Sequence, residues 1–467
     1  MRDIIISMIL LGMFPACYRR PFIGLLMFSW LAYMRVQDLT WGFARGLRWS
    51  YYVAIITFVG FINSREKKRA FLPDVRCYMM LALLACVAIG VALSKNPDPY
   101  QFNRLLEYAK IIGIALFTTS VVQTREHLRV LIWVIACSFA FYGVKSGVWG
   151  VLTGGATAIK QGPGGMLADN NDFSLAMAMS VPILIHVGLS EKREILRKAF
   201  LYSVPLTVIT VGLTHSRGGF LSLAGGCGVL IWHSRSRVAA GFLAFFAAVL
   251  AVILAPAEYK ERISSIGDYE EDGSAQARFR SWAVAVRMAA DNPIFGVGLN
   301  KFRANYLRYE PNPTPDQLEG RAVYVAHNSY LQVWAEVGTI AFAIYLALIL
   351  LSFITIWRTR AKARRRFHSS WVLNYCTMFE ASLLTFCIGA VFLNRAHFDL
   401  FYHFIAIVLV FGYIADEELG DESAYPWRPS GVRGDIRLSR RPGFGHRMRG
   451  HGFRNTPLLP APGGRST

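Results

Sequence analysis

Charge is what this sequence has least of. Asp, Glu, Lys and Arg make up 17% of the 467 residues, while 54% are hydrophobic. A soluble domain of ordinary composition carries about 25% charged residues. A large soluble core is not the explanation, because the apolar residues come in long runs. Segments 78–93, 128–149, 238–255 and 333–357 hold almost no charge. Each has about the length a helix needs to cross roughly 30 Å of hydrocarbon. The chain is therefore predicted to be an all-α, polytopic membrane protein.

Acidic residues are scarcer still, 30 against 50 Lys and Arg, for a net charge of +20. The excess does not imply nucleic-acid binding, since the positive residues sit in short loops between apolar runs and in the C-terminal tail rather than on one folded face. That is the distribution of the positive-inside rule. The seven cysteines lie in or beside apolar runs without ligand spacing, which excludes a disulfide framework and a thiolate metal site. No metal and no cofactor is implied. No repeat of about 20–50 residues is present. The glycine-rich piece 154–165 lacks the strand, the helix and the Lys-Ser/Thr of a phosphate loop, and reads as a turn followed by Asp169-Asn170-Asn171-Asp172 as a helix cap. No small-residue cleavage site follows the first apolar run, so the N-terminus is read as retained.

Hydrophobic segments fall at 4–16, 21–34, 51–62, 78–93, 111–122, 128–149, 173–189, 199–213, 218–232, 238–255, 333–357, 371–393 and 401–414. Every second loop is basic: 19–20, 65–69, 125–129, 192–198, 235–237 and 358–366. These belong in the cytoplasm. Alternation puts 35–50, 94–107, 150–172, 214–217, 256–330 and 394–400 on the other side. The first segment is short for a span, so the count is twelve, or thirteen if it crosses. The expected organisation is N-terminal helices over 1–255, a long extracytoplasmic loop with short helices over 256–330, C-terminal helices over 331–414 and a disordered basic cytoplasmic tail over 415–467. The tail is either simply solvated or drawn to anionic membrane lipids.

Three groups in this frame have chemistry to offer. Arg217 stands where one apolar run stops and the next starts, beside Gly218 and Gly219. An Arg at that depth either snorkels to head groups or faces a partner or a watery cavity. His215 beside it supports the turn or adds a substrate contact. In the loop, 274–282 opens a helical pattern with Trp282, Ala285 and Val286 as its apolar face. Arg278 and Trp282 share a side and Arg280 points elsewhere. A planar guanidinium suits phosphate. A turn with Gly296 and Gly298 follows. Finally His327 precedes an amphipathic helix start. Neutral imidazole accepts a proton from a hydroxyl, and Asn328 is placed to orient the ring or the substrate. Glu336, further on, reads as a packing carboxylate.

The set Ser216-Arg217-Gly218-Gly219, Arg278 with Trp282, Asn292-Pro293-Ile294-Phe295-Gly296-Val297-Gly298 and His327-Asn328-Ser329-Tyr330 resembles the O-antigen ligase and polymerase superfamily. The opening, with Arg20-Pro21-Phe22-Ile23-Gly24 and Leu39-Thr40-Trp41-Gly42-Phe43, looks like the O-glycosylation ligases associated with exosortase A systems. The resemblance implies a glycosyltransferase of the bacterial inner membrane. It would transfer a glycan from an undecaprenyl-diphosphate-linked donor to a periplasmic acceptor, with inversion and without a metal. Arg217 and Arg278 would hold the diphosphate and His327 would position or deprotonate the acceptor hydroxyl. Arg280, Asn328, Trp282, Gly298 and His215 would contribute to substrate binding. The acceptor, a glycan, lipid or protein, stays open. So do two other functions: a polysaccharide polymerase, and a lipid-linked-glycan transporter, which would carry charges through helix centres and inverted repeats. The site closes only if the loop folds back so that His327 faces Arg217.

Overall fold

Pro21 ends the first apolar stretch and begins the second. Arg20 takes an extended conformation and Pro21 occupies the first helical turn, where its missing N–H costs nothing. The computed structural model describes residues 2–64, 71–94, 99–156, 158–234, 236–238, 241, 273–319, 325–366, 370–394 and 396–420. The expected span 238–255, the loop start 256–272, the basic loop 65–69 and the tail beyond 420 lie wholly or mostly outside them.

Numbering helices of eight residues or more, the chain runs α1 (Arg2–Arg19), α2 (Pro21–Tyr33), α3 (Trp49–Asn63), α4 (Val75–Ala92), α5 (Pro99–Val121), α6 (Arg125–Leu152), α7 (Asn170–Ser190), α8 (Glu194–Leu213) and α9 (Arg217–His233). After the undescribed stretch come α10 (Gly273–Asp291), α11 (Phe302–Tyr309), α12 (Ser329–Val337), α13 (Thr339–Arg364), α14 (Ser370–Gly389) and α15 (Asp399–Gly420). No strand occurs among the described residues. Among the described residues seven helices are long and apolar enough to cross a membrane: α4, α6, α7, α8, α13, α14 and α15. α2 and α3 are shorter apolar helices. α9 has 17 residues, and α5 carries Arg104, Glu107 and Lys110 within its length.

Two helices form the centre. In α7 and α15, 78% and 83% of the most apolar window is buried, as expected of helices apolar on every side. α7 is surrounded by α6, α8, α9 and α14, and α15 by α5, α6, α13 and α14. Small residues allow close approach: a Cβ on Gly147 of α6 would stand 2.3 Å from the Leu206 carbonyl of α8, the kind of contact that holds helices together where water exclusion cannot. On α1 and α3, Ile4, Met8, Phe58 and Ile62 are more than half exposed, the face a lipid-embedded bundle turns outward.

The two ends of the bundle differ in charge. At one end Arg125 lies 4.5 Å above the Trp371 ring, Trp371 donates to Glu418 at 2.8 Å, Arg129 reaches Glu191 at 3.8 Å and Lys362 pairs with Asp416 at 2.8 Å. This end gathers three of the basic loops. α1 runs beside α3 from one end to the other. Asp3 accepts from the backbone N–H groups of Gly42 and Ala44 at 3.0 and 3.1 Å, while Tyr18 accepts from Asn63 at 3.0 Å. The first helix therefore traverses the same depth as its neighbour.

Several boundaries differ from the sequence reading. The expected span 333–357 is two helices: Gly338, at φ 92, separates α12 from α13, and the apolar helix continues to Arg364. Residues 99–107, read as loop, are the first turns of α5, since Pro99 is tolerated in a first turn and Tyr100 to Arg104 continue the helix. α15 runs through Asp416-Glu417-Glu418 to Gly420, past the expected break at 414. In α10 the buried face is Ser281, Val284, Ala285, Met288 and Ala289, and Val286 is exposed, because residues four apart share a face and 282 and 286 lie beside the buried stripe rather than on it.

Candidate functional site

A cavity of about 1440 Å³ reaches the loops of the less basic end and runs down between α3 and α5 to Ile62, Phe71 and Phe117. Five of the six segments assigned by alternation to the extracytoplasmic side line it: 35–50, 104–107, 165–172, the loop residues 300, 325 and 327, and 394–399. The sixth, 214–217, is tied to its rim. Asn170 donates to the Thr214 carbonyl at 3.0 Å and Ser216 donates to Asn171 at 2.7 Å.

His327 lines this cavity, half-buried, with φ 46. A non-glycine residue held in the left-handed region costs about 1 kcal/mol or more, and such strain collects at functional positions. What imposes it is the helix that follows. Asn328 is buried and caps α12, its Oδ1 accepting from Tyr330 and Leu331 at 3.0 and 3.1 Å, and Ser329 is anchored by its N–H to Ala390 at 2.7 Å and by its hydroxyl to Leu393 at 2.8 Å. Asn328 thus serves as a cap that fixes the backbone at His327. Burial first, then the field of Arg278, lower the His327 pKa from its ordinary value, and Asp169 opposes them. The ring is accordingly biased to its neutral, proton-accepting form.

Arg278 is half-buried in the second turn of α10, within the field of His327, whereas Arg280 is exposed and faces Tyr306. Trp282 is partly buried and stacks edge-on with Phe279, ring centres 5.4 Å apart. Arg217 opens α9, capped by Ser216, which accepts from Gly219 at 3.1 Å, and preceded by His215 at φ 53. Gly218 packs on Phe392 and Gly219 on Ser174. The turn 390–393 therefore supports the start of α9 on one side and the start of α12, just after His327, on the other. The structure sets His327 within the fields of Arg278 and Asp169, and ties the turn that precedes Arg217 to the cavity rim through Asn170 and Asn171.

The Asn292–Gly298 turn fastens the loop. Val297 and Gly298 donate to the carbonyls of Ala335 and Glu336 at 2.8 and 3.1 Å, and Thr339 donates to Pro293 at 2.7 Å. Gly298 is buried, and a Cβ there would meet Gln101 of α5 at 3.1 Å, so the close approach its φ of 104 permits is to protein. Gln101 in turn donates to the Leu299 carbonyl at 3.2 Å. Glu336 accepts from the Phe302 N–H and from Gln332, both at 3.2 Å. Burial outweighs these bonds and pushes its carboxyl up to about 7.

Residues of the cavity that the motifs did not point to include Asp169, Arg48, Lys110, His397 and Asp399. A signal for one of them was present. Lys110 is an ionisable residue inside a helix long enough to span, which marks a site by default; reading α5 as loop to 107 hid it.

A bundle of membrane-length helices whose polar loops enclose one cavity, with a histidine and arginines at its edge, defines a multi-pass membrane protein with a site at one face. Residues 202–346 match the O-antigen ligase family, a stretch that holds Arg217, Arg278 and His327. Residues 1–192 match a family of unknown function (DUF5935). No curated protein matches the chain. The first match supports the O-antigen ligase superfamily, and with it membrane glycan ligase or polymerase activity.

Proposed function

We propose that this protein is a glycosyltransferase of the bacterial inner membrane, with its cavity on the periplasmic side, that moves a glycan en bloc from undecaprenyl diphosphate to a periplasmic acceptor. The observation that carries the reading is His327: half-buried, strained, biased to the neutral form beside Arg278, and lining the cavity in which five of the loop segments converge. In the reaction the acceptor oxygen attacks the anomeric carbon as the bond from that carbon to the diphosphate breaks, with inversion. His327 takes the hydroxyl proton. Arg217 and Arg278 hold the departing diphosphate, whose charge grows in the transition state and is best met by fixed cations in a dry site. No metal enters this scheme.

Purified membranes carrying His327→Ala, with normal protein level, should transfer glycan from a polyprenyl-diphosphate donor roughly 100- to 10,000-fold more slowly, the range for loss of a general base. Arg217→Ala should lower transfer comparably. Full activity in His327→Ala rules the mechanism out. Wild-type protein that carries glycan across vesicles without making a glycosidic bond would make it a transporter.

A further inference from the structure

The cavity has a second cationic wall, and it belongs to the segment whose family has no known function. Lys110 lies about one turn past Glu107 along α5, at the edge of its apolar stretch. It is exposed to the cavity, and no described carboxylate pairs with it. Glu107, one turn earlier, is bound to Arg104 at 2.8 Å. The contact Lys110 makes is with the Tyr51 ring, 6.0 Å from its centre. Arg48 lines the same wall and is also exposed and without a described carboxylate partner. An ammonium beside an apolar wall is favoured where water or an anion reaches it.

Below these cations the wall is apolar. Ile55, Phe58, Val59 and Ile62 of α3 line the cavity and are 42–56% exposed. Ile111, Ile114 and Phe117 of α5 face them across the gap. The volume exceeds the roughly 300–1,000 Å³ of an ordinary small-molecule site. Cations above a long apolar wall complement one kind of molecule: an amphiphile with a long chain and a phosphate head. At the far side of the same cavity stands His327.

We infer that this wall seats the acceptor, and that the acceptor is a glycan carried on a lipid phosphate rather than a protein. Its chain lies between α3 and α5, its phosphate meets Lys110 and Arg48, and its glycan reaches His327. The inference rests on the reading that Arg217 and Arg278 hold the donor, which makes two lipid-phosphate sites in one cavity. The segment 1–192 then supplies acceptor recognition, and 202–346 supplies the chemistry.

Undecaprenyl phosphate without glycan is the probe, titrated into the purified full chain and counted by native mass spectrometry. Wild type should bind two. Lys110→Gln with Arg48→Gln should bind one, and Lys110→Arg should restore the second. Dioleoyl-phosphatidylglycerol should compete at least tenfold more weakly for the Lys110-dependent site. One lipid in wild type, two in the double Gln variant, or equal competition by the phospholipid overturns the inference, the last outcome marking a general membrane-lipid groove. Arg217→Ala with Arg278→Ala tests the donor reading separately. Two lipids retained there, with the Lys110-dependent one intact, would refute the donor assignment and leave the acceptor seat standing.

Discussion

His327 stands between opposing fields. Burial and Arg278 disfavour its charged form and Asp169 favours it, so the pH at which it begins to serve as a base is set by neighbours on two different elements. Arg278→Gln removes a cation and should move the acid limb of the kcat/KM profile to higher pH. Asp169→Asn keeps a capping side chain for α7 but removes the carboxylate, and should move the limb to lower pH. Opposite shifts, measured between about pH 5 and 8 where imidazole titrates, identify His327 as the titrating group; identical or absent shifts exclude it. How far such a site is legible in a sequence depends on what marks it. His327 and Arg278 stand out because they are polar residues next to membrane-grade runs. Asp169 reads as an ordinary helix cap, which it also is, and only the fold places it opposite the histidine.

At the scale of elements, the break at Gly338 does most to aim the site. Sequence hydropathy runs through it without a signal, because α12 is apolar on one face and α13 all round, and the join reads as one helix. The packing reveals why it is two. A Cβ on Gly338 would lie 2.1 Å from the Ile294 carbonyl at a φ that L residues avoid. Gly338→Ala should therefore cost at least about 1–3 kcal/mol from backbone strain alone, seen as a lower thermal unfolding temperature in detergent, with transfer activity falling along with it. Glu336, two residues earlier, is raised to about 7 by burial. Its folded pKa lies above the ordinary carboxyl value of about 4.3, so the stability it lends is complete below that value and is lost as pH rises through 7. Glu336→Gln should flatten this dependence, giving a protein more stable than wild type above pH 7; an unchanged slope would show that another group titrates. The helical pattern of α10 was legible because its polar and apolar residues alternate at the right period. Its buried face lies one position from the one the pattern predicts, since neighbouring stripes on a short amphipathic helix differ little in hydrophobicity.

For the whole molecule, the alternation of basic loops is the signal that bears on the site. It grouped five segments that the fold then brings to one cavity. What it left open is the first helix, whose length is marginal; the bonds of Asp3 to Gly42 and Ala44 at one end and of Tyr18 to Asn63 at the other lay it alongside α3. Single cysteines test the sidedness. Trp41 and Leu318 are 88% and 63% exposed at the cavity end, and Ile195 is 83% exposed near the other. In intact cells a membrane-impermeant thiol reagent should label Trp41→Cys and Leu318→Cys and spare Ile195→Cys. The reverse pattern would put the cavity in the cytoplasm and end the proposal of a periplasmic enzyme.

The burial of α15 has a consequence for how the protein is made. This helix is the last of those described, yet it occupies the middle, enclosed by α5, α6, α13 and α14. Helices synthesised long before it must hold a place for it. Until residues 399–420 leave the ribosome, Tyr33 lacks His403, the partner 2.6 Å away, and Tyr108 lacks Tyr402, at 2.5 Å. A chain that ends before this helix therefore leaves an open seat at the centre of the bundle, lined by the helices that α15 would otherwise cover.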